Sequence, residues 1–405
     1  MVITSVNGRS DHPYGGSSMV DSPSRPRFDA AITGGMLLAA ASDHLVAATV
    51  AVLDGRIAAV LPGAAPVSAT TTIDATGHIV TPGLIDLHTH VFAASTYLAV
   101  DADRVGVTQG VTTLVDAGSA GALSFERFRE TVIETSATRV FSFINVSDLG
   151  LTAGPTELVD LDDVGSPALH SLLSAEAHRS IRGIKARMSA SVVGANGVRP
   201  LVIARRLAAE FDLPVMVHVG NEPPVYSDVV DLLVEGDVVS HAFHGKRGGL
   251  FGSGTEVSDS ARRARDRGVL FDVGHGSASF SFETLERALE QGFAPDLAST
   301  DLHAENLDGP VYSLATTLSK LLAVGLPLDA VVGYATANAA AVLGEKGRLG
   351  SLETGSIADL SLLRIADDTT TLTDSDGATR TASRTLSAAG AIVAGVDLRT
   401  AEARA

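Results

Sequence analysis

Two histidines stand two residues apart, His88 and His90, in the run "TPGLIDLHTH" over residues 81–90. On an extended strand, residues i and i+2 project from the same face. The pair therefore points one way, with Asp86 one step behind it on that face. Imidazole is the commonest protein ligand for divalent metals, and two on one strand can share an ion. The pair alone does not separate a metal site from two ordinary histidines, because HxH also arises by chance.

Later runs supply groups of the same chemical kind. Lys185 lies in "GIKARM", His218 in "VMVHVG", His241 in "VVSHAF" and Asp301 in "STDLH", each at the end of a short apolar stretch. In barrels of parallel strands the chemistry sits at the C-terminal strand ends. Histidines and a carboxylate at several such ends, in a chain without cysteine, suit Zn²⁺ or a similar divalent metal that keeps room for water.

The elements that would position these groups follow from the texture of the chain. From residue 84 to about 340, short apolar runs alternate with helix-like stretches, among them 123–136, 197–211, 258–268 and 281–292. Alternation of this kind implies a parallel sheet, and some eight repeats imply an α/β fold closed as a (β/α)8 TIM-like barrel. Residues 28–80 read instead as short strands, with Asp54-Gly55 marking a two-residue hairpin. After the helical "PLDAVVGYATANAAAVLG", the segments "GRLGSLETGSIADLSLLRI" and "RTLSAAGAIVAGVDL" are strand-like again. The simplest organisation is a barrel over 81–344 and a small discontinuous β-sandwich built from 28–80 and 345–400. Residues 1–27, rich in Ser, Gly, Pro and charge, read as a disordered leader, with Met19 as an alternative start.

Composition excludes several classes. The formal net charge is −17 over 405 residues, which argues against a nucleic-acid or anionic-membrane surface. The absence of cysteine removes disulfides, thiolate zinc sites and thiol nucleophiles. Neither a signal-peptide apolar core nor a run of ~18 apolar residues is present, so no membrane partner is expected and a cytoplasmic location fits. Aromatics are only 4% and tryptophan is absent, so aliphatic side chains must fill most of the core.

The motifs "GLIDLHTH", "GIKARM", "VHVG", "SHAFHG" and "STDLH", closed by "GRLGSLETGSIADL", resemble the amidohydrolase superfamily of metal-dependent hydrolases. The resemblance runs from residue 30 to about residue 400, with the motifs in order. Together with "FDVGHG", it is nearest to the amidohydrolase/deacetylase group, which includes esterases of acetylated hydroxy acids. It implies a site for two divalent metals. His88 and His90 would hold the more buried ion with Asp301, while His218 and His241 would hold the more exposed one. Lys185 would bridge the two after N6-carboxylation by CO2. An unmodified lysine, with a pKa of ~10.4, would be an ammonium without a lone pair; a carbamate is an anion with two oxygens. The metals would share a hydroxide and polarise the scissile carbonyl. Asp301 would take the hydroxide's proton and pass it to the leaving group, or serve as a ligand only.

Other positions carry open alternatives. Arg187 lies two residues beyond Lys185 and could grip a substrate carboxylate, or form a salt bridge with a nearby acid. His275, between glycines in "GHGSAS", could touch substrate or be a structural loop residue. Asn221 in "GNEPP" and Asp116 in "VDAGSAG" could face the site or cap turns. His244 and His303 flank ligand positions. "GGLFGSG" lacks the phosphate-loop pattern and reads as a loop.

The expected function is metal-dependent hydrolysis of an amide or ester, removing an acetyl or other small acyl group from a small carboxylate-bearing molecule. The alternative is opening of a cyclic amide, as in dihydroorotase-like or hydantoinase-like relatives. Aminohydrolysis fits less well, because many deaminases of this fold lack the bridging lysine. A catalytically dead scaffold would be expected to have lost ligands, and all six candidates are present. Homo-oligomerisation is an expectation by analogy with such barrels.

Overall fold

The computed structural model describes residues 27–38, 44–93 and 95–399. The leader expected over 1–27 and the alternative start at Met19 lie outside the described residues, save Arg27.

Seven parallel strands follow one another in chain order around the barrel: Leu84–Thr89, Val111–Ala117, Arg139–Asn145, Ile181–Met188, Val215–Val219, Val238–Ser240 and Leu270–Phe271. The segment 297–302 closes the ring, since Leu297 bridges Asp272 and Leu302 bridges Thr89, both in parallel sense. This eighth stave is not a regular strand. Asp301, near its end, adopts a left-handed backbone with φ 52°, a conformation that interrupts extended pairing.

Helices between the strands start and stop on recognisable signals. Ser258, Ser281 and Ser313 each accept a bond from a backbone N–H in the first turn of the helices Asp259–Asp266, Phe282–Glu290 and Leu314–Ala323. The helix expected over 197–211 spans Arg199–Phe211 and carries proline in its first turn. The stretch expected as one helix over 123–136 is instead a short turn of α-helix, Phe125–Phe128, running into a π-helical turn, Arg129–Ile133.

Strands from both ends of the chain share a nine-stranded sheet. Leu360–Ala366 pairs on one side with Ile79–Pro82, from just before the barrel, and on the other with Thr385–Val393. The Asp54-Gly55 turn joins Leu45–Leu53 to Arg56–Pro62 with φ 51° and 70° at its two residues, as a type I′ hairpin requires. Aliphatic residues such as Ile32, Val50, Val80, Leu360 and Ile392 form the core of this sheet. The barrel core is also largely aliphatic, joined by the fully buried phenylalanines 92, 125, 128, 143, 243, 271, 280, 282 and 293.

Within 345–400, one hairpin stands apart from the sheet. Its strands, Thr370–Thr373 and Thr379–Ala382, pair only with each other. Its turn reaches the barrel: Asp374 accepts from the Phe282 N–H at 2.9 Å, and the Ser375 N–H donates to the Phe280 carbonyl at 3.1 Å. Among the described residues, no helix is long and apolar enough to cross a membrane.

Candidate active site

His88 and His90 leave the end of the first barrel strand with both side chains buried. Their Nε2 atoms lie 3.3 Å and 3.2 Å from the same oxygen, Oδ1 of Asp301. His241, directly after the sixth strand, places Nε2 at 3.8 Å from the other oxygen, Oδ2. His218 from the fifth strand packs edge-on against His241, with ring centroids 4.4 Å apart. Lys185, in the fourth strand, sets Nζ 3.0 Å from His88 Nε2 and 3.4 Å from the Met216 sulfur. Four strand ends and the left-handed Asp301 thus bring together all six groups singled out from their types and spacing.

The second nitrogen of each ring decides what the first can do. The Ser240 hydroxyl donates to Asp272 Oδ2 at 2.8 Å, so its lone pair receives His88 Nδ1–H at 2.8 Å. His241 Nδ1 donates to the Gly274 carbonyl at 2.5 Å. In both rings the proton therefore resides on Nδ1, and Nε2 offers a bare lone pair. His90 Nδ1 rests 2.9 Å from Ser119 Oγ.

Electrostatics keep the site in its ligand form. Burial, then the nearby Lys185, holds His88 far below the ordinary imidazole range. Burial likewise pushes His241 down to about 3. Both rings are neutral at neutral pH. Burial pushes the Asp301 carboxyl up, but His88, the hydrogen bond from His90 and the neighbouring His241 outweigh it and hold the group well below the carboxylate range. Lys185 is pushed down to about 7, chiefly by burial, and among the described residues no carboxylate lies within salt-bridge distance of its Nζ.

The bare Nε2 lone pairs of His88 and His241 face the Asp301 carboxylate, an approach that repels unless a cation stands between them. The ligand atoms of His88, His90 and Asp301 all lie within 4.8 Å of one another, and His241 Nε2 is buried with no hydrogen-bond partner. Neutral imidazoles and a carboxylate of this kind fit a divalent metal.

Surrounding groups hold the constellation in shape. Asp86 accepts from the N–H and hydroxyl of Thr300, at 3.0 and 2.6 Å, tying the first strand to the segment that carries Asp301. Asp116 accepts from the N–H groups of Val91 and Ser119, so it fixes the turn behind His90. His303 sits 2.7 Å from the Asp301 carbonyl through Nδ1, and Asn306 donates to the same carbonyl at 2.8 Å. Glycine is required at two close approaches. A Cβ on Gly118 would lie 2.9 Å from Lys185 Cγ, and one on Gly276 would lie 2.7 Å from Asp301 Oδ2.

The expected substrate contacts have different settings. Arg187 faces the buried Glu157, with Nη1 3.5 Å from Oε2, and keeps 17% of its side chain exposed. His275 is fully buried: Nε2 is 2.7 Å from Lys320 Nζ, Nδ1 is 3.0 Å from the Gly276 carbonyl, and the ring lies over Phe280. Asn221 is exposed, and its backbone fastens its loop to Ser189 and Ala190. His244 accepts the Lys246 N–H at Nδ1, which leaves a protonated, buried Nε2 with no partner.

Sequence reasoning missed Ser119, Ser240, Ser299 and Lys320. A serine beside a ligand carries no signal of its own, whereas Asp272, closing the run "VLFD", stood at a strand end like the ligands. A concavity of about 710 Å³ lies elsewhere, lined in part by Pro82, Val332, Ala337, Leu349 and Leu352, with none of the convergent histidines in its lining.

Comparison with known proteins agrees with this geometry. Residues 79–383 match the Amidohydrolase family. A deacetylase of Agrobacterium fabrum is 39% identical over 326 residues, 80% of each chain. A crystal structure of an adenine deaminase superposes with a TM-score of 0.86 at 34% identity, covering 92% of this chain and all of that one. A crystal structure of a dihydroorotase gives 0.83 at 34% identity, covering 92% and 97%.

Proposed function

The chain belongs to the amidohydrolase family, and on that premise we propose that it removes an acetyl or other small acyl group from a small carboxylate-bearing compound. That it is a hydrolase of amide or ester bonds follows from the family and its deacetylase relatives. The observation that carries the finer reading is the convergence of His88, His90, Lys185, His218, His241 and Asp301 at one end of the barrel.

In this reading His88, His90 and Asp301 hold one divalent ion, and His218 and His241 hold a second. Lys185, as the N6-carboxylate, would supply oxygens to both. Support for the carbamate is the lysine's setting: a buried amine beside an imidazole, with no carboxylate within salt-bridge distance among the described residues, would otherwise set a proton-bearing nitrogen against the metal ligands. The donor set suits zinc, with no thiolate among it. Bound divalent metal supplies Lewis acidity and a water of lowered pKa.

The remaining work falls to the chain's own groups. Asp301 accepts the proton of the attacking water at its carboxylate and returns it to the leaving oxygen or nitrogen. Its Oδ2 is the oxygen placed for this, because Oδ1 faces His88 and His90. Arg187, half-restrained by Glu157, receives the substrate carboxylate. Asn221 and His275 border the same end of the barrel. The barrel is proposed to span 81–344, with 28–80 and 345–400 as its companion β-sandwich.

A second reading, opening of a cyclic amide, is favoured by the likeness to the dihydroorotase structure. A screen of N-acetyl amino acids and O-acetyl hydroxy acids of both hands, against dihydroorotate, hydantoins and adenine, separates the two. Turnover of acetylated compounds is the expected result. Turnover confined to the cyclic compounds would replace the first reading by the second.

A further inference from the structure

A single carboxylate oxygen sits behind three of the metal-facing strand ends. Asp272 is fully buried at the end of the seventh strand. Its Oδ2 accepts from Ser240 Oγ at 2.8 Å and from Ser299 Oγ at 2.6 Å. Ser240 immediately precedes His241 and, through its own oxygen, receives His88 Nδ1 at 2.8 Å. Ser299 lies two residues before Asp301.

We propose that Asp272 is a positioning residue for the metal-facing side of the site, acting on His88 through the hydroxyl of Ser240. The chain of bonds has a fixed direction. An ionised carboxylate can only accept, so Ser240 must point its one hydrogen at Asp272. Its lone pair is then what the imidazole meets, and His88 must carry its proton on Nδ1. Nε2 is left bare and aimed at Asp301 and Lys185. The negative charge at the far end also strengthens Nε2 as a donor to a cation, as carboxylates behind metal-bound histidines do. Removing the hydroxyl would free the ring to take the other tautomer and place a proton on the ligand atom.

Ser299 provides the internal comparison. It binds the same Asp272 oxygen but, among the described residues, its hydroxyl makes no bond to a metal-facing side chain. If Asp272 served only to knit strand ends together, losing either serine would matter alike. If it acts through Ser240 on His88, the two losses differ in kind.

The inference rests on the metal-dependent reading of the site. The experiment measures Zn²⁺ retention against a chelator, and the melting temperature with and without Zn²⁺, in wild type, Ser240→Ala, Ser299→Ala and Asp272→Ala. Ser240→Ala and Asp272→Ala are expected to weaken Zn²⁺ retention about 10- to 100-fold and to shrink the Zn²⁺-induced rise in melting temperature. Ser299→Ala should lower the melting temperature of both forms together and hold Zn²⁺ nearly as wild type does. The inference is overturned if Ser240→Ala retains Zn²⁺ like wild type, or if Ser299→Ala loses it to the same degree. Should Asp272→Ala fail to fold, the two serine variants decide. Wild-type protein that binds no Zn²⁺ would end the metal reading itself, a result distinct from either.

Discussion

Lys185 places Nζ 3.0 Å from Nε2 of His88, with both residues buried to 1% exposure. An ammonium here would compete with any cation the imidazoles could hold, while a carbamate would join them. Replacing Lys185 by alanine should therefore lower activity more than about 100-fold and reduce the metal content below that of wild type. Added acetate or propionate, which can occupy the vacated volume with two oxygens, should restore part of both. Intact-mass measurement under native conditions should show a CO2 adduct that acid removes. A variant that keeps full metal and activity would refute the bridging role.

Asp301 is the group whose two oxygens face different partners, Oδ1 towards His88 and His90, Oδ2 towards His241. Asp301→Asn preserves an oxygen for coordination but cannot carry a proton at that position. Turnover should fall about 10²- to 10⁴-fold with KM little changed. Metal analysis on the same preparation separates the roles. Loss of metal in proportion to activity would reduce Asp301 to a ligand.

Why these groups were readable while others were not has a physical basis. Strand periodicity puts i and i+2 on one face, and barrel chemistry gathers at strand ends, so His88, His90, Lys185, His218 and His241 stood out as candidates from local pattern, and the family resemblance supplied their roles. The hydroxyls that fix their tautomers depend on pairings far apart in the chain: Ser240 and His88 are separated by 152 positions, and nothing local marks either end of that bond. The left-handed turn at Asp301 replaced the regular eighth strand that the alternation of elements implies. The hairpin 370–382 falls inside the segment assigned to the sandwich, but bonds to Phe280, Phe282 and Gly276 and the ion pair between Arg380 and Glu286 tie it to the barrel.

Arg187 shares its guanidinium with the buried Glu157 while keeping part of its side chain exposed. Arg187→Ala should raise KM about 10- to 100-fold for a carboxylate-bearing acyl substrate, and much less for its neutral ester analogue. Metal content should be unchanged, which distinguishes loss of a substrate contact from collapse of the site. Equal effects on the charged and neutral compounds would make Arg187 a partner of Glu157 and nothing more.

Lys320 gives a pH signature that is independent of the proposed metal ligands. Its side chain is buried, with Nζ 2.6 Å from the Pro310 carbonyl and 2.7 Å from His275 Nε2. Burial lowers its pKa to about 7, with Asp374 opposing the shift. The unfolded chain binds the same proton up to about pH 10.4. Between those values the unfolded state holds more protons, so stability rises with pH, by up to about 1.4 kcal/mol per pH unit. Below about pH 7 both states are protonated and the penalty stays constant. Lys320→Met removes the titration while also leaving the Pro310 carbonyl unpaired, so the slope with pH, and not the absolute stability, is the measurement. Urea unfolding of both proteins across this window should show wild type gaining on the variant as pH rises. Parallel curves would mean that Lys320 keeps its proton in the folded chain, held by the Pro310 carbonyl and the His275 ring strongly enough to cancel the cost of burying it.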